Sequence, residues 1–436
     1  MDWTGLYRSR LTTAHDAVRA IQSGNRIFLT GNMSVPQTVL PALVEYAPQL
    51  SDVEICHSLT VGAAEYVDPR MAGHLRVNTM FISANIREAV QAGRADFTPV
   101  LLSEFPLLFK RGVLPIDVAL IQVSPPDEHG FCSLGVEVGL TKSPAESARM
   151  VIAEVNEQMP RTLGDSFIHV SRMHHIIPVD YPIPELAKPA ADSSEIIEKI
   201  AGHVADLIPD GATLQMGIGS IPDAVLKYLH QKRDLGVHSE LFSDGVVDLV
   251  EAGVITNARK TLHPGRIVAG FMLGTRRLYT WADDNPLLEF HRTEYVNDPF
   301  VIAQNDRMVA VNSALEVDLT GQVCADSIGP LLYSGVGGQM DFIFGASRSK
   351  GGVPIIALPS TATLKDGGRI TRISAMLRPG AGVVTTRNHV RYLVTEQGVA
   401  DLYGKTIRQR AQQLINIAHP DFREDLEKQA RKLHYL

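Results

Sequence analysis

Val237-His238-Ser239-Glu240-Leu241-Phe242-Ser243-Asp244-Gly245 is the stretch from which the fold can be read. An apolar run ends in a glutamate, and a turn with a new helical pattern follows at once. Glu240 is therefore expected at the carboxyl end of a strand, the edge of an open α/β sheet where ligands bind. Upstream, Gln215-Met216-Gly217-Ile218-Gly219-Ser220-Ile221-Pro222 reads as another strand that runs into a glycine turn and a helix start. A carboxylate beside bare backbone N–H groups has the parts of an acyl-transfer site, a nucleophile next to oxyanion donors.

Working outward, Ile196–Leu207 reads as a helix, Ala212–Met216 as a strand, Pro222–Leu229 as a helix and Leu235–Glu240 as a strand. The same order occurs near the amino terminus. A helix is expected over residues 12–24, capped by Thr12 or Thr13 and stopped by Gly24. A strand at Arg26–Leu29, a turn at Gly31–Ser34, a helix at Pro36–Tyr46 and a strand at Val53–Leu59 follow it. Gly24, Gly31, Ser34-Val35-Pro36 and Val39-Leu40 align with Gly211, Gly217, Ser220-Ile221-Pro222 and Val225-Leu226 with one residue of slippage. Asp127–Cys132 likewise echoes Asp318–Cys324, each a polar turn with a glycine between apolar strands. One α/β unit used twice explains these echoes. The expected fold is α/β, two similar open, mainly parallel-sheet domains at 1–190 and 191–436 with the active site between them. The proline-rich stretch from Ile176 to Asp192 is read as the crossing linker. Only the second copy has the glutamate: Leu59 stands where Glu240 does, so the strand itself has no need of a charge there.

A chain of 436 residues exceeds one compact core. Its net charge of −7, with no long basic run, argues against nucleic acid as a partner. Cys56, Cys132 and Cys324 are too few and too scattered for a disulfide or zinc framework, as in a reduced cytoplasm. No apolar run reaches the ~18 residues of a membrane span, so no membrane partner is expected. His174-His175, and Asp127 with His129, lack a third ligand at metal-binding spacing, so no metal is expected. Gly217-Ile218-Gly219 lacks the third glycine of a dinucleotide fingerprint. A nucleotide-dependent oxidoreductase stands as the alternative only if Glu240 is a ribose ligand.

Five collinear segments carry a resemblance: Gly217–Leu226, His238–Gly245, Val311–Gln322, Ser334–Phe342 and Val394–Leu402. Over essentially its whole length the chain resembles the acetyl-CoA hydrolase/transferase family, most closely its 4-hydroxybutyrate and butyryl-CoA:acetate CoA-transferase branch. The resemblance implies that Glu240 is the nucleophile that carries a glutamyl-CoA thioester, with Gly338 N–H in the oxyanion hole. It implies that Gly217, Ile218, Gly219, Ser220, Ile221, Leu315 and Gly338 contact CoA or its thioester, and that Asn297 and Glu396 line the substrate pocket. It further implies CoA as a co-substrate with no permanently bound cofactor, short-chain carboxylates as the other partners, and a homodimer or higher homo-oligomer. The runner-up activity is acyl-CoA hydrolysis by the same glutamate, and a non-catalytic CoA-binding protein is disfavoured because the glutamate is present. Arg259, Lys260, Arg276, Arg277, Arg348, Lys350 and Arg372 are candidate cations for the CoA phosphates. The tail from Arg408 to His434 reads as one or two amphipathic helices for packing or subunit contact.

Overall fold

Val118–Val123 is nearly all apolar, as a parallel strand covered on both faces must be, and all six residues are buried. It belongs to a seven-stranded sheet in a computed structural model that describes residues 2–186, 194–364 and 366–436. The chain divides into two compact units, Met1–Ala187 with Val268–Val296, and Lys188–Ile267 with Asn297–Leu436.

The sheet of the first unit has the order Asp96–Phe97, Leu75–Thr79, Val53–His57, Arg26–Leu29, Val118–Val123, Met150–Asn156, His175–Val179. Every neighbouring pair is parallel. In the second unit Gly236–Phe242, Thr213–Met216, Met308–Ser313, Val353–Ala357 and Tyr392–Thr395 are adjacent and parallel in that order. A hairpin adds Gly398–Asp401 antiparallel at the end. In the first unit the second, third and fourth strands lie on one side of the first and the later strands on the other, and in the second unit Gly236–Phe242 lies on one side of Thr213–Met216 with Met308–Ser313 on the other. The chain therefore reverses direction across the sheet at the first strand, which opens a crevice at the strands' carboxyl ends.

The two halves share detail as well as order. Asp127 Oδ1 accepts from the N–H groups of His129 and Phe131, and Asp318 Oδ1 accepts from those of Thr320 and Gln322. Gly130 and Gly321 close the two turns at φ 84° and 95°. Identical side-chain-to-backbone turns at matching places are what a duplicated unit leaves. They also give Asp127 its work, which is holding a turn.

Each unit has its own apolar core. The first gathers Ile27, Leu29, Ile55, Val118, Leu120 and Ile152 from the sheet with Val39, Leu40 and Leu43 from a helix. The second joins Val317, Leu319 and Leu393 to Ala411, Leu414, Ile415, Leu426 and Ala430. The last five lie on Ile407–Asn416 and Pro420–Lys432, so the charged tail forms two helices with apolar faces packed inward.

Several boundaries differ from expectation for local reasons. The helix expected over residues 12–24 covers Ala14–Val18, capped by Thr13, because Gln22–Asn25 forms a turn closed by Gln22 N–H to Asn25 Oδ1. The helix expected from Pro36 starts at Val39, where the buried carboxylate of Glu154 takes the N–H groups of Thr38 and Val39. Its partner in the second unit starts at Ser220, two residues before the expected Pro222. His175–Val179 is a strand, so the expected linker begins later. The rest of that linker and the 190/191 boundary reach residues 187–193, outside the described residues. Val268–Val296 packs with the first unit: Gly270 O accepts from Val138 N–H, and Phe290 O from Asp165 N–H.

Candidate active site

Glu240 lies two residues before the end of Gly236–Phe242, so the strand continues past it by Leu241 and Phe242. The strand is buried at every residue except Glu240, which keeps a partial opening to solvent. Its register is fixed against Thr213–Met216, with Leu214 opposite Val237, and Ser239 Oγ donates to Met216 O at 3.2 Å. Gly217 therefore follows the partner strand at the level of Glu240. His238, two residues earlier and so on the same face of the strand, is fully buried with its ring 6.4 Å from that of Phe342.

The glycine turns of the two units are built differently. A Cβ on Gly31 would lie 2.3 Å from Leu59 O, and that carbonyl also accepts from Asn32 N–H at 2.7 Å. The first turn is closed on its own backbone. Around Gly217 and Gly219 a Cβ would meet nothing within 4 Å, and Gly219, at φ 114°, precedes the helix Ser220–Tyr228. Gly217, Ile218 and Gly219 are partly open, Ser220 is exposed and Ile221 turns into the core.

Two further groups meet the carboxylate of Glu240. Asn297 is fully buried and its Nδ2 donates to Glu240 Oε2 at 3.2 Å, while its Oδ1 has no partner among the described residues. It is held by the turn in which Asp298 caps the helix Pro299–Ile302. Gly338 is the cap of the helix Gln339–Arg348. A Cβ there would lie 1.9 Å from Glu240 Oε2 and 2.4 Å from Asn297 Nδ2. Its φ of −92° suits any residue, so glycine is required for space alone. The carboxylate thus lies against the amino end of a ten-residue helix, where N–H groups and the helix dipole favour negative charge.

Burial raises the pKa of Glu240 to about 7, and the Asn297 amide offsets part of that rise. Among the described residues no lysine or arginine offsets that rise through an ion pair. At neutral pH it divides between acid and anion, and the anion is more basic, hence more nucleophilic, than an ordinary carboxylate.

A chain of contacts leads away from Gly338. Gln339 Nε2 donates to Ser313 O at 2.6 Å, which ties the glycine run to the end of the strand Met308–Ser313. Leu315, partly exposed, follows and is held by its N–H to Cys324 O. Arg372 Nη1 donates to Ala314 O at 3.4 Å. The Arg372 main chain accepts from Val317 N–H and donates to Ser360 O, each at 2.9 Å. Glu396 ends the chain: its carboxylate takes the N–H of Ser360 at 2.9 Å and the Ser360 hydroxyl.

The structure therefore brings Glu240, Asn297 and Gly338 into contact, with Gly217 on the neighbouring strand. It spends both oxygens of Glu396 on Ser360. Ser360, Gln339 and the Arg372 main chain were not foreseen as parts of the site. The pattern that could have found Ser360 is the one that found Glu240, an apolar strand, Val353–Ala357, running out into a polar residue.

Residues 1–188 match the acetyl-CoA hydrolase/transferase N-terminal domain and residues 274–430 the C-terminal domain of the same family. A 4-hydroxybutyrate coenzyme A transferase of Clostridium kluyveri is 51% identical over 99% of this chain and 100% of its own length. A succinyl-CoA:acetate/propanoyl-CoA:succinate CoA transferase of Fasciola hepatica is 48% identical over 94% of this chain and 85% of its own. The crystal structure of a 4-hydroxybutyrate CoA-transferase from Porphyromonas gingivalis superposes with a TM-score of 0.85 at 40% identity, covering 99% of this chain and 100% of that one.

Proposed function

We propose, for a chain that belongs to the acetyl-CoA hydrolase/transferase family, that it is a CoA-transferase moving CoA between an acyl-CoA and a free short-chain carboxylate through a thioester on Glu240. The observation that carries the reading is the contact of one largely buried carboxylate with Asn297 and with a glycine whose missing side chain makes room for it.

The chemistry follows from conserving the thioester's free energy without ATP. The ionised Glu240 carboxylate attacks the acyl carbonyl; the C–S bond breaks and CoA leaves as thiolate, giving a mixed anhydride. The thiolate then attacks the glutamyl carbonyl, expels the first acid and leaves Glu240 as the CoA thioester. The incoming acid repeats these steps in reverse and restores the carboxylate. Each tetrahedral intermediate has an oxyanion, and one well-placed N–H donor is typically worth ~10²–10³ in rate. The Gly338 N–H is the donor we assign to it. Gly217–Ile221 and Leu315 take the pantetheine arm and thioester. Asn297, with its unpartnered Oδ1, lines the acyl pocket, and Glu396 shapes it through Ser360. A carboxylate is a weak nucleophile, so positioning supplies a large part of the acceleration, out of the ~7–11 kcal/mol available to it.

The relatives named above differ in the acids they exchange. A panel of carboxylates assayed against acetyl-CoA therefore identifies the acceptor, with 4-hydroxybutyrate, butyrate and propionate as the first candidates and acetate as the expected product. Borohydride added after acyl-CoA, and not before, should inactivate the enzyme by reducing the thioester. Mass spectrometry that finds the lesion away from Glu240 refutes the assignment. CoA release at a comparable rate without an acceptor acid would instead make the protein a hydrolase. The three cysteines are free and buried, which fits a cytoplasmic protein. We take a homodimer or larger homo-oligomer as its state, which sedimentation tests.

A further inference from the structure

CoA has phosphates, and a chain of net charge −7 must meet them with local cations. The second unit has five from the sequence candidates. Arg259 pairs with Asp234 at 3.2 Å. Lys260 is buried, with Nζ on the carbonyls of Val237 and Arg266. Arg348 is stacked on Phe344 at 4.5 Å, and Lys350 is an exposed side chain.

Arg372 differs from all of these. It is half-buried, yet among the described residues its guanidinium makes one long hydrogen bond, to Ala314 O, and no ion pair. Burial lowers its pKa, and Tyr333 opposes part of that fall. Arg410 is the useful contrast, since it is similarly depressed but donates to three carbonyls, those of Thr320, Arg387 and Lys405. A guanidinium has five donors, and a partly desolvated one with a single weak bond has most of its capacity unspent. Its main chain is held on both sides, by Ser360 and Val317, so the position is fixed before any ligand arrives. Its guanidinium reaches the carbonyl of Ala314, the residue before Leu315.

We propose that Arg372 binds a phosphate group of CoA, as the cation that anchors the nucleotide end of the substrate while the thioester lies at Glu240. This rests on the transferase reading. CoA carries its anionic groups on its nucleotide end, so a cation that binds CoA takes that end of the substrate. Planar, bidentate N–H pairs suit phosphate oxygens.

The test is calorimetric binding of CoA and of pantetheine to the full-length protein and to Arg372→Gln and Arg372→Lys. Loss of one charged hydrogen-bonding partner should weaken CoA by about 10–100-fold in Arg372→Gln. Arg372→Lys should recover part of that loss, while pantetheine affinity and the melting temperature stay within experimental error. CoA affinity unchanged in Arg372→Gln overturns the proposal, as does an equal loss for CoA and pantetheine. A raised KM for the acceptor acid with unchanged CoA affinity would show that the anion is the acid and overturn it too. An unsubstituted protein that fails to bind CoA refutes the transferase reading as well, whereas binding that is insensitive to Arg372 refutes this inference alone.

Discussion

Gly338→Ala is the sharpest perturbation of the site, because its size can be read from distances. The added methyl would lie 1.9 Å from Glu240 Oε2 and 2.4 Å from Asn297 Nδ2, where ordinary contact begins at 3.4 Å. Something must give by 3.4 − 1.9 = 1.5 Å, and the backbone is not strained, since φ −92° and ψ 3° are open to alanine. The carboxylate is the movable partner, being the end of a three-bond side chain with a partial opening to solvent. A misplacement of about 1 Å at a reacting centre costs ~10²-fold in rate. We therefore expect kcat to fall by ~10²–10³-fold, with KM for acyl-CoA changed by less than about fivefold, because the lost interaction belongs to the transition state. Overpacking costs ~1–3 kcal/mol when nothing can move, and less where a side chain swings out, so the variant should fold. Steady-state transfer from acetyl-CoA to a carboxylate, with circular dichroism as the folding control, is the assay. A folded Gly338→Ala enzyme that retains more than a tenth of the wild-type kcat would show that the Glu240 position seen here is not the reactive one.

Glu240→Gln should abolish transfer and change the pH dependence of stability. The folded protein holds the Glu240 proton up to about pH 7 and the unfolded chain only to about 4.5, so wild-type stability falls as pH rises between these values and is level above. The glutamine variant lacks that slope and should gain about 3 kcal/mol relative to wild type between pH 4.5 and 8, read from urea melts; the equally raised Glu137 is common to both proteins and cancels. For catalysis the anion is the active form, so kcat/KM should rise with pH through an apparent pKa near 7 and then flatten. Asn297→Ala removes the amide that lowers that pKa, so its pH–rate limb should move to higher pH; a limb that stays in place or moves down contradicts the assignment. Asp127→Ala and Asp318→Ala each strip acceptors from at least two backbone N–H groups and should each cost ~1–3 kcal/mol, with Asp127→Ala leaving Glu240 untouched.

The sequence alone was sufficient for the repeated α/β unit, for the strand and glycine turn that flank Glu240, and for the singularity of that glutamate, because each is written in local periodicity and turn chemistry. The echo of Asp127 in Asp318 was legible for the same reason, since an aspartate that accepts its own following N–H groups needs no distant partner. Other features were decided by tertiary structure, because they depend on groups far apart in the chain. Glu154 moves a helix start at Val39 from 115 residues away, and Val268–Val296 joins the first unit across 80 residues of the second. The contact of Asn297 and Gly338 with one carboxylate, the use of Glu396 on Ser360, and the unspent donors of Arg372 are likewise facts of packing. Local pattern can nominate a carboxylate, but its basicity and reach are set by burial and by whichever neighbours the fold brings to it.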